Sequence, residues 1–371
     1  MQYVLSIGLI LVSIVIQKQH HFLLNTDMGF NKENLLMIRL TRSLAQDIDQ
    51  TKAHFSDHSN IQDITFCYGM PGGIVAGDGI IIPRLQDKEI TSSMFLVAPN
   101  YLDVLEMEMV AGRAFSEDLE SDVMEAFILN ETAVHNFGLG SPEEAIGEAV
   151  NWKMWTQKDT LKRGRVIGVV RDFNFKSLHS EVSSAVLHIA PDEYQFMLIK
   201  TGAGDVQSTI AFLEHQYRDY EATRPFDFEF MDASFQRFYD SEQKLSNLIS
   251  IFTILSILTA AIGLFGLVSF NVANKGKELS IRKVLGARSD MLFLLLVKKY
   301  FTIVGLCLLI ALPASYYIVG LWLDDYAYRT EVEFFTYIQV VLVVMLLTFM
   351  AVGFQAWKGV KANPASRLRM E

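Results

Sequence analysis

The chain contains 371 residues, of which 51% are hydrophobic and 20% are charged, and its formal net charge at pH 7 is −10. This acidic balance argues against a nucleic-acid partner, because binding to phosphates needs a basic surface. The hydrophobic fraction decides little by itself, but long uncharged apolar runs lie at the N-terminus and after residue 246, which is typical of membrane-spanning helices.

The first apolar run, Met1–Ile16, is short for a span, since about 20 residues are needed to cross the hydrocarbon layer. The alternative is a cleaved signal peptide, but no basic residue precedes the run and no A-x-A site follows it. The adjacent residues His20 and His21 face different directions on a helix, so they indicate the lipid interface rather than a metal site. The sequence predicts a first transmembrane helix over 1–21, cut short at its N-terminal end.

The region 22–240 predicts one α+β domain, in which the order strand–helix–strand occurs twice. We expect the two β-α-β units to pack side by side, with a less regular part between them. The glycine-rich PGGIVAGDG at 71–79 lacks the lysine and helix of a phosphate-binding loop, so a turn is expected there. The predicted elements are strands at 35–40 and 61–67 around a helix at 43–54, and strands at 196–201 and 226–230 around a helix at 205–217.

The end of this domain predicts a helix leading into the second apolar run. In DASFQRFYDSEQKLSNL, Asp232 is a candidate N-cap, and Phe235, Phe238 and Tyr239 lie on one face at helical spacing. No Gly or Pro interrupts the pattern, so one rigid stalk of about 40 residues, about 60 Å long, is predicted. An ordinary amphipathic helix ending near the membrane is the alternative.

Residues 241–371 predict three further spans, at about 245–273, 300–323 and 337–357. None of the four predicted spans carries a charge within the membrane, which disfavours an ion path through the helices. The cysteines, Cys67 and Cys307, lie in different predicted compartments and form no disulfide or metal pattern. No motif predicts a catalytic residue, a bound metal or a cofactor in this chain.

Basic residues mark the cytoplasmic side of membrane helices. The segment 274–299 has seven basic residues against Glu278 and Asp290, whereas 324–336 has four acidic residues against Arg329. The termini and 274–299 are therefore predicted to be cytoplasmic, and the large domain extracytoplasmic. The charge of 17–246, with 35 acidic and 20 basic residues, agrees with that location.

The segment 275–288, KGKELSIRKVLGAR, resembles the cytoplasmic segment that follows the second span in FtsX-like permeases, which include the permease subunits of MacB-type ABC transporters. GFNKENLL at 29–36 and GRVIGVVRDFNFKSLH at 164–179 resemble the MacB-like periplasmic core domain of large Bacteroidetes-type permeases. PASYYIVGLWLDDYAYR at 313–329 and KANPASRLR at 361–369 are similar to the same proteins. The matching residues of the inner segment are Glu278, Ile281, Arg282, Lys283, Leu285, Gly286 and Ala287.

The resemblance implies an α-helical membrane protein with four transmembrane helices and an α+β extracytoplasmic domain inserted between helices one and two. It implies a non-enzymatic permease subunit of the bacterial inner membrane, with ATP bound by a separate ATPase that docks on the coupling segment 274–290, including Lys277. Closure of that ATPase would move the stalk and the periplasmic domain, which would act on a peptide, lipid, lipoprotein or drug.

Two other functions stay open from the sequence. A regulator of cell-wall hydrolases would use the same ATPase-driven motion without an exported substrate. A membrane enzyme or receptor would need its own chemistry in the outer domain, for which no motif is present. There is also a simpler explanation for the basic residues of 274–290, since such residues would keep this loop inside the cell in any membrane protein.

The large permeases of this type carry two such units, and the chain resembles only the second. We therefore expect a truncated or split product, or one unit that pairs with a second permease unit as a homodimer or a pseudo-dimer.

Overall fold

The computed structural model describes residues 2–73, 75–85, 89–154 and 161–361. The chain forms two compact units, one of Met1–Asn25 with Asp240–Glu371 and one of Thr26–Tyr239. The helices are α1 Gln2–Asn25, α2 Ile48–Phe55, α3 Tyr101–Val104, α4 Glu120–Glu125, α5 Glu131–Asn136, α6 Pro142–Ala145, α7 Val206–Tyr220, α8 Met231–Phe238, α9 Asp240–Asn274, α10 Gly276–Val284, α11 Ser289–Leu323 and α12 Phe334–Lys361. The strands are β1 Leu35–Arg39, β2 Ile61–Tyr68, β3 Ala76–Ile81, β4 Glu89–Val97, β5 Met109–Gly112, β6 Ala126–Asn130, β7 Ala149–Lys153, β8 Leu161–Val170, β9 Ala185–His188, β10 Phe196–Thr201 and β11 Phe228–Phe230.

Among its described residues, the helical unit has four helices that are long and apolar enough to cross a membrane, namely α1, α9, α11 and α12. The first helix, α1, continues to Asn25, four residues beyond the predicted range of 1–21. No Gly or Pro lies between 17 and 25, so the polar residues after the apolar run stay helical. They lie in the last turns of the helix, where side chains reach the polar interface.

Short polar side chains hold α1 against α9. The Ser6 and Ser256 hydroxyls are 2.6 Å apart, the Tyr3 hydroxyl donates to Ala260 O at 2.9 Å, and Thr253 Oγ1 donates to Leu9 O at 3.2 Å. Serine and threonine at such contacts let two helix backbones approach closely in an apolar environment. These pairs run in opposite directions along the two helices, so α1 and α9 are antiparallel.

The unit of Thr26–Tyr239 is α+β and contains two cores. In the first, the strand order is β11-β1-β10-β2, with every neighbouring pair antiparallel. The predicted strands and helices are present here, but the side-by-side arrangement was wrong, because β10 lies between β1 and β2. Each strand–helix–strand unit is thus split by a strand of the other, which is the ferredoxin-like arrangement. Leu36, Phe55 and Leu213 belong to the buried core beneath this sheet.

The second core is a closed barrel. The order β4-β3-β7-β8-β6-β9 returns to β4 through a parallel β4–β9 pairing, and β5 adds to β8. Closure removes the free strand edges on this path. Phe127 and Trp152 fill the interior. The turn predicted over 71–79 was wrong in its second half, because Ala76 to Gly79 form the start of β3 and pair with β4.

Candidate functional site

The segment between α9 and α11 folds into a short helix with a defined end. α10 begins directly after α9, and its last turn closes with Gly286 N donating to Lys283 O at 3.2 Å and Ala287 N donating to Arg282 O at 2.9 Å. This pair of bonds is the Schellman motif, whose C′ residue has a left-handed backbone and is usually glycine. Gly286 has φ of +96°. The Gly286–Ala287 pair of the sequence motif thus ends α10 and turns the chain toward α11.

One face of α10 is fixed to the helical bundle. Leu279 is 5% exposed and packs in a cluster that includes Val272, Leu292 and Val360. The Lys283 ammonium donates to Val360 O, at the end of α12, at 2.8 Å. The contacts of Leu279 and Lys283, which lie one turn apart, therefore fix the orientation of α10.

The opposite face of α10 carries an exposed apolar stripe, defined by Ile281, Val284 and Leu285. Their exposed fractions are 50%, 68% and 81%. Spacings of three and four residues place the three side chains together on one face. The sequence analysis did not separate these residues from Leu279, which lies two positions from Ile281 and points to the bundle. Helical periodicity places Leu279 and Ile281 on different faces, but it does not show which of the two apolar faces is covered.

Paired charges lie beside the stripe. Glu278 accepts from Arg282 one turn later at 2.6 Å, and Arg288 pairs with Asp290 at 3.0 Å. Both pairs are solvent-accessible and stabilise the fold by no more than about 1 kcal/mol each. They therefore leave the segment free to exchange partners. The side chain of Lys277 and the tail residues Arg367 and Arg369 lie outside the described residues.

Polar side chains connect the helices at the end of the helical unit that lies away from α10. At the end away from α10, the fully buried Gln19 amide donates to Tyr328 O at 3.0 Å and accepts from Thr330 N at 2.7 Å. Lys18 donates to Thr336 Oγ1 at 2.8 Å. Gln19 thereby ties the end of α1 to the acidic loop between α11 and α12. The sequence analysis missed this role, because a Gln after an apolar run resembles any interfacial residue.

The predicted stalk is interrupted. α8 ends at Phe238, and Tyr239 has φ of −109° and ψ of 10°, so α9 starts as a separate helix at Asp240. The N-cap prediction was also wrong, because the cap position is Phe230 and Asp232 lies exposed in the first turn. A helix without Gly or Pro can still be interrupted when tertiary contacts stabilise the chain more than a continuous helix would.

Those contacts bury one face of α8 within the α+β unit. The rings of Phe235 and Phe30 are 5.6 Å apart, and Phe235 also covers Gly72. Leu178 N donates to the Tyr239 hydroxyl at 3.2 Å. Phe235 and Tyr239 are both buried, whereas Phe238 is half-buried. Of the predicted stalk residues, Phe235 and Tyr239 are thus docked on two loops of this unit.

The described ranges contain little else that could carry chemistry. No group of three or more His, Cys, Asp or Glu side chains lies close enough to hold a metal ion in that part of the chain. The buried His188 stacks on Phe127 in the barrel, with its Nδ1 2.7 Å from Ala126 O. Burial is the main reason that the pKa of His188 falls to about 3, with Lys162 nearby as a second cause.

Four helices that are long and apolar enough to cross a membrane, a charged helix between the second and third, and a separate α+β unit indicate a polytopic membrane protein. Residues 250–364 match the family of the FtsX-like permease C-terminal domain. A curated relative is the macrolide export ATP-binding/permease protein MacB of Aggregatibacter actinomycetemcomitans, which is 24% identical over 243 residues. The alignment covers 63% of this chain and 35% of that protein. The family match and this relative confirm the sequence-based resemblance to ABC transporter permeases of the FtsX/MacB type.

The chain spans about a third of the length of that curated relative. Among solved structures, the periplasmic region of MacB from Actinobacillus actinomycetemcomitans aligns with 58% of this chain and 98% of its own, at 16% identity and a TM-score of 0.41. The extracellular domain of the noncanonic ABC-type transporter YknZ from Gram-positive bacteria aligns with 53% and 97%, at 14% identity and a TM-score of 0.38. The family match and the four candidate spans support an inner-membrane protein.

Proposed function

We propose that this chain is the transmembrane subunit of an ABC system in which a separate ATPase docks on α10 and drives movement of the α+β unit. The observation that carries the proposal is the exposed stripe of Ile281, Val284 and Leu285 on a helix whose other face is fixed by Leu279. A helix held in this way transfers a push on its exposed face to α9 and α11. Nucleotide is bound by the ATPase, and the permease itself contributes no cofactor.

The stripe is suited to a protein partner. Burying one such side chain stabilises a contact by about 1.5–3 kcal/mol, so three give several kcal/mol before the cost of association. The pairs Glu278–Arg282 and Arg288–Asp290 form a polar rim, which is the usual arrangement around an apolar contact.

Movement reaches the α+β unit through its docked helix rather than through one continuous rod. Because the helix is interrupted at Tyr239, a displacement of α9 acts on α8 across a hinge. α8 in turn presses on the loops that contain Gly72 and Leu178 through Phe235 and Tyr239. This mechanotransmission would change the shape of the outer unit without a path for solute through the bundle.

The remaining assignments belong to the same proposal. The basic α10 end and both termini are cytoplasmic, the α+β unit is periplasmic and inserted between the first and second spans, and a second permease unit completes the assembly. The transported molecule is a peptide, lipid, lipoprotein or drug. Regulation of a cell-wall hydrolase is not favoured by the comparisons, in which the curated relative is named as a macrolide exporter.

Co-purification and ATPase assays with the full chain test the docking. Val284→Asp places a charge in the stripe, and we expect it to abolish capture of the ABC ATPase. Met124→Asp, at an equally exposed apolar residue of the α+β unit, should leave capture intact. An ATPase retained by Val284→Asp, or none bound to the wild type, would contradict the proposal.

A charge reversal tests coupling separately from binding. Glu278→Lys breaks the exposed pair with Arg282 and should reduce stimulation of the ATPase by the permease, with little effect on stability. Glu214→Lys breaks the corresponding i,i+4 pair with Arg218 on α7 and should leave stimulation unchanged. Equal stimulation in both variants would remove Glu278 from the coupling role.

A further inference from the structure

An apolar groove lies on α12 near its C-terminal end. It has a volume of about 530 Å³ and is lined by Phe293 of α11 with Phe349, Met350, Gly353, Phe354 and Trp357 of α12. The lining residues of α12 cover two turns, about 12 Å along the axis. This length and its apolar walls suit part of an acyl chain, on a helix that is long and apolar enough to cross a membrane.

A glycine forms the floor of the groove. A Cβ at Gly353 would lie 3.8 Å from the Phe349 ring and 3.9 Å from the Phe293 ring, which is ordinary contact. Alanine would therefore fit, whereas a longer side chain would occupy the groove itself. The opposite side of α12 is closed, because Val352 and Ala356 are buried in the bundle.

Positive charge lies at one end of the groove. The Lys361 ammonium is 4.2 Å from the centroid of the Trp357 ring, and Lys358 is exposed beside it. Within the described part of the chain, no carboxylate lies within 4.0 Å of either ammonium group. The two acidic residues of 274–299, Glu278 and Asp290, are each already paired with an arginine.

We propose that this groove binds an anionic phospholipid, with an acyl chain over Gly353 and the phosphate beside Lys358 and Lys361. Tryptophan is enriched at the level of lipid headgroups, and basic pockets at the ends of membrane helices attract anionic headgroups. A zwitterionic lipid would fill the same groove but gain little from two unpaired lysines. The site is independent of the α10 stripe, so it does not depend on ATPase docking.

Fluorescence quenching in nanodiscs tests the lipid preference. The full chain is placed in phosphatidylcholine that contains either dibrominated phosphatidylglycerol or dibrominated phosphatidylcholine at the same low mole fraction. The quenching that disappears in Trp357→Phe is assigned to Trp357. We expect phosphatidylglycerol to quench this fluorescence at a several-fold lower mole fraction. Equal quenching by the two lipids would overturn the proposal.

Single substitutions then distinguish the contribution of the lysine charges to lipid binding from that of the apolar groove. Lys358→Gln and Lys361→Gln should each lower the preference about fivefold, which corresponds to about 1 kcal/mol per basic residue. Gly353→Leu should block quenching by both lipids, whereas Gly266→Leu, at a helix position with open space around it, should not. If Gly353→Leu fails to fold, the lysine variants decide: a preference unchanged in both would exclude an anionic lipid site.

Discussion

The ring of Phe235 occupies the space in which a side chain at Gly72 would begin. A Cβ at Gly72 would lie 2.6 Å from Phe235 Cε2, and the backbone there has φ of +79°. Two separate constraints, a steric contact and a left-handed backbone, thus require glycine at the position where α8 meets the α+β unit.

Gly72→Ala is expected to undock α8. The substitution combines backbone strain of about 1 kcal/mol with a clash that displaces the buried Phe235 ring. Hydrogen exchange in the full chain should become faster over 231–239. Gly138→Ala supplies the control, because Gly138 has φ of +64° and open space around it, so it carries the backbone strain without the clash. Equal exchange over α8 in the two variants would show that the Phe235 contact contributes nothing.

His188 should make the barrel sensitive to mild acid. Its pKa is near 6.5 in the unfolded chain and about 3 in the folded one, so the unfolded state binds the proton first. The stability that this group contributes is complete above pH 6.5 and is lost as pH falls toward 3, by up to about 1.4 kcal/mol per pH unit. Urea unfolding followed by tryptophan fluorescence at pH 7 and pH 5.5 should show a loss of about 1 kcal/mol.

The pH dependence itself identifies the residue. The substitution His188→Gln should remove the pH dependence of the free energy of unfolding, whatever effect the substitution has on stability at pH 7. His215→Gln, on the exposed face of α7, should leave it unchanged. A wild-type slope that survives in His188→Gln would assign the acid sensitivity to other groups.

Gln19→Leu should release the loop between α11 and α12. The substitution leaves Thr330 N–H and Tyr328 C=O without their buried partner, at a cost of about 1–3 kcal/mol. Exchange of the Thr330 amide should become roughly ten- to hundredfold faster. Gln17→Leu, which removes only bonds to Ser13 and Ser250, should not affect this loop. An unchanged Thr330 amide would mean that the loop is held by other contacts.

Cysteine labelling should establish which end of the bundle is outside. In a chain with Cys67 and Cys307 replaced by Ala, a cysteine at Glu331 should react with a membrane-impermeant maleimide in intact cells. One at Arg288 should react only after permeabilisation, because basic residues are retained in the cytoplasm. Both positions are exposed, so access to reagent decides the result. The reverse pattern would invert the proposed topology.

The sequence predicted local elements better than their arrangement. Alternation and apolar runs gave the strands at 35–40, 61–67 and 196–201, because these signals depend only on neighbouring residues. The insertion of β10 between β1 and β2 depends on contacts between residues more than 130 positions apart, as in the pairing of Leu198 with Thr65. No local pattern contains that pairing.

In the candidate site too, the sequence predicted the local element but not its contacts. The sequence motif at 275–288 contains α10. Its glycine, Gly286, is the residue with a left-handed backbone in the Schellman motif that ends this helix. The motif did not show that Leu279 is covered while Ile281 is exposed, since both are apolar and the burial is decided by residues of α11 and α12. At the break, the Tyr239 hydroxyl accepts a hydrogen bond from Leu178 N, 61 residues earlier, and no local pattern predicts this contact.

The antiparallel contact between α1 and α9 has a consequence for synthesis of the protein. About 215 residues separate Asn25 from Asp240, which at 5–20 residues per second take roughly ten to forty seconds to translate. During that time Ser6, Ser13 and Gln17 have none of the partners that α9 later supplies. Until α9 is made, these polar side chains of α1 lack their later partners, and it is at this stage that a membrane chaperone or protease would meet them.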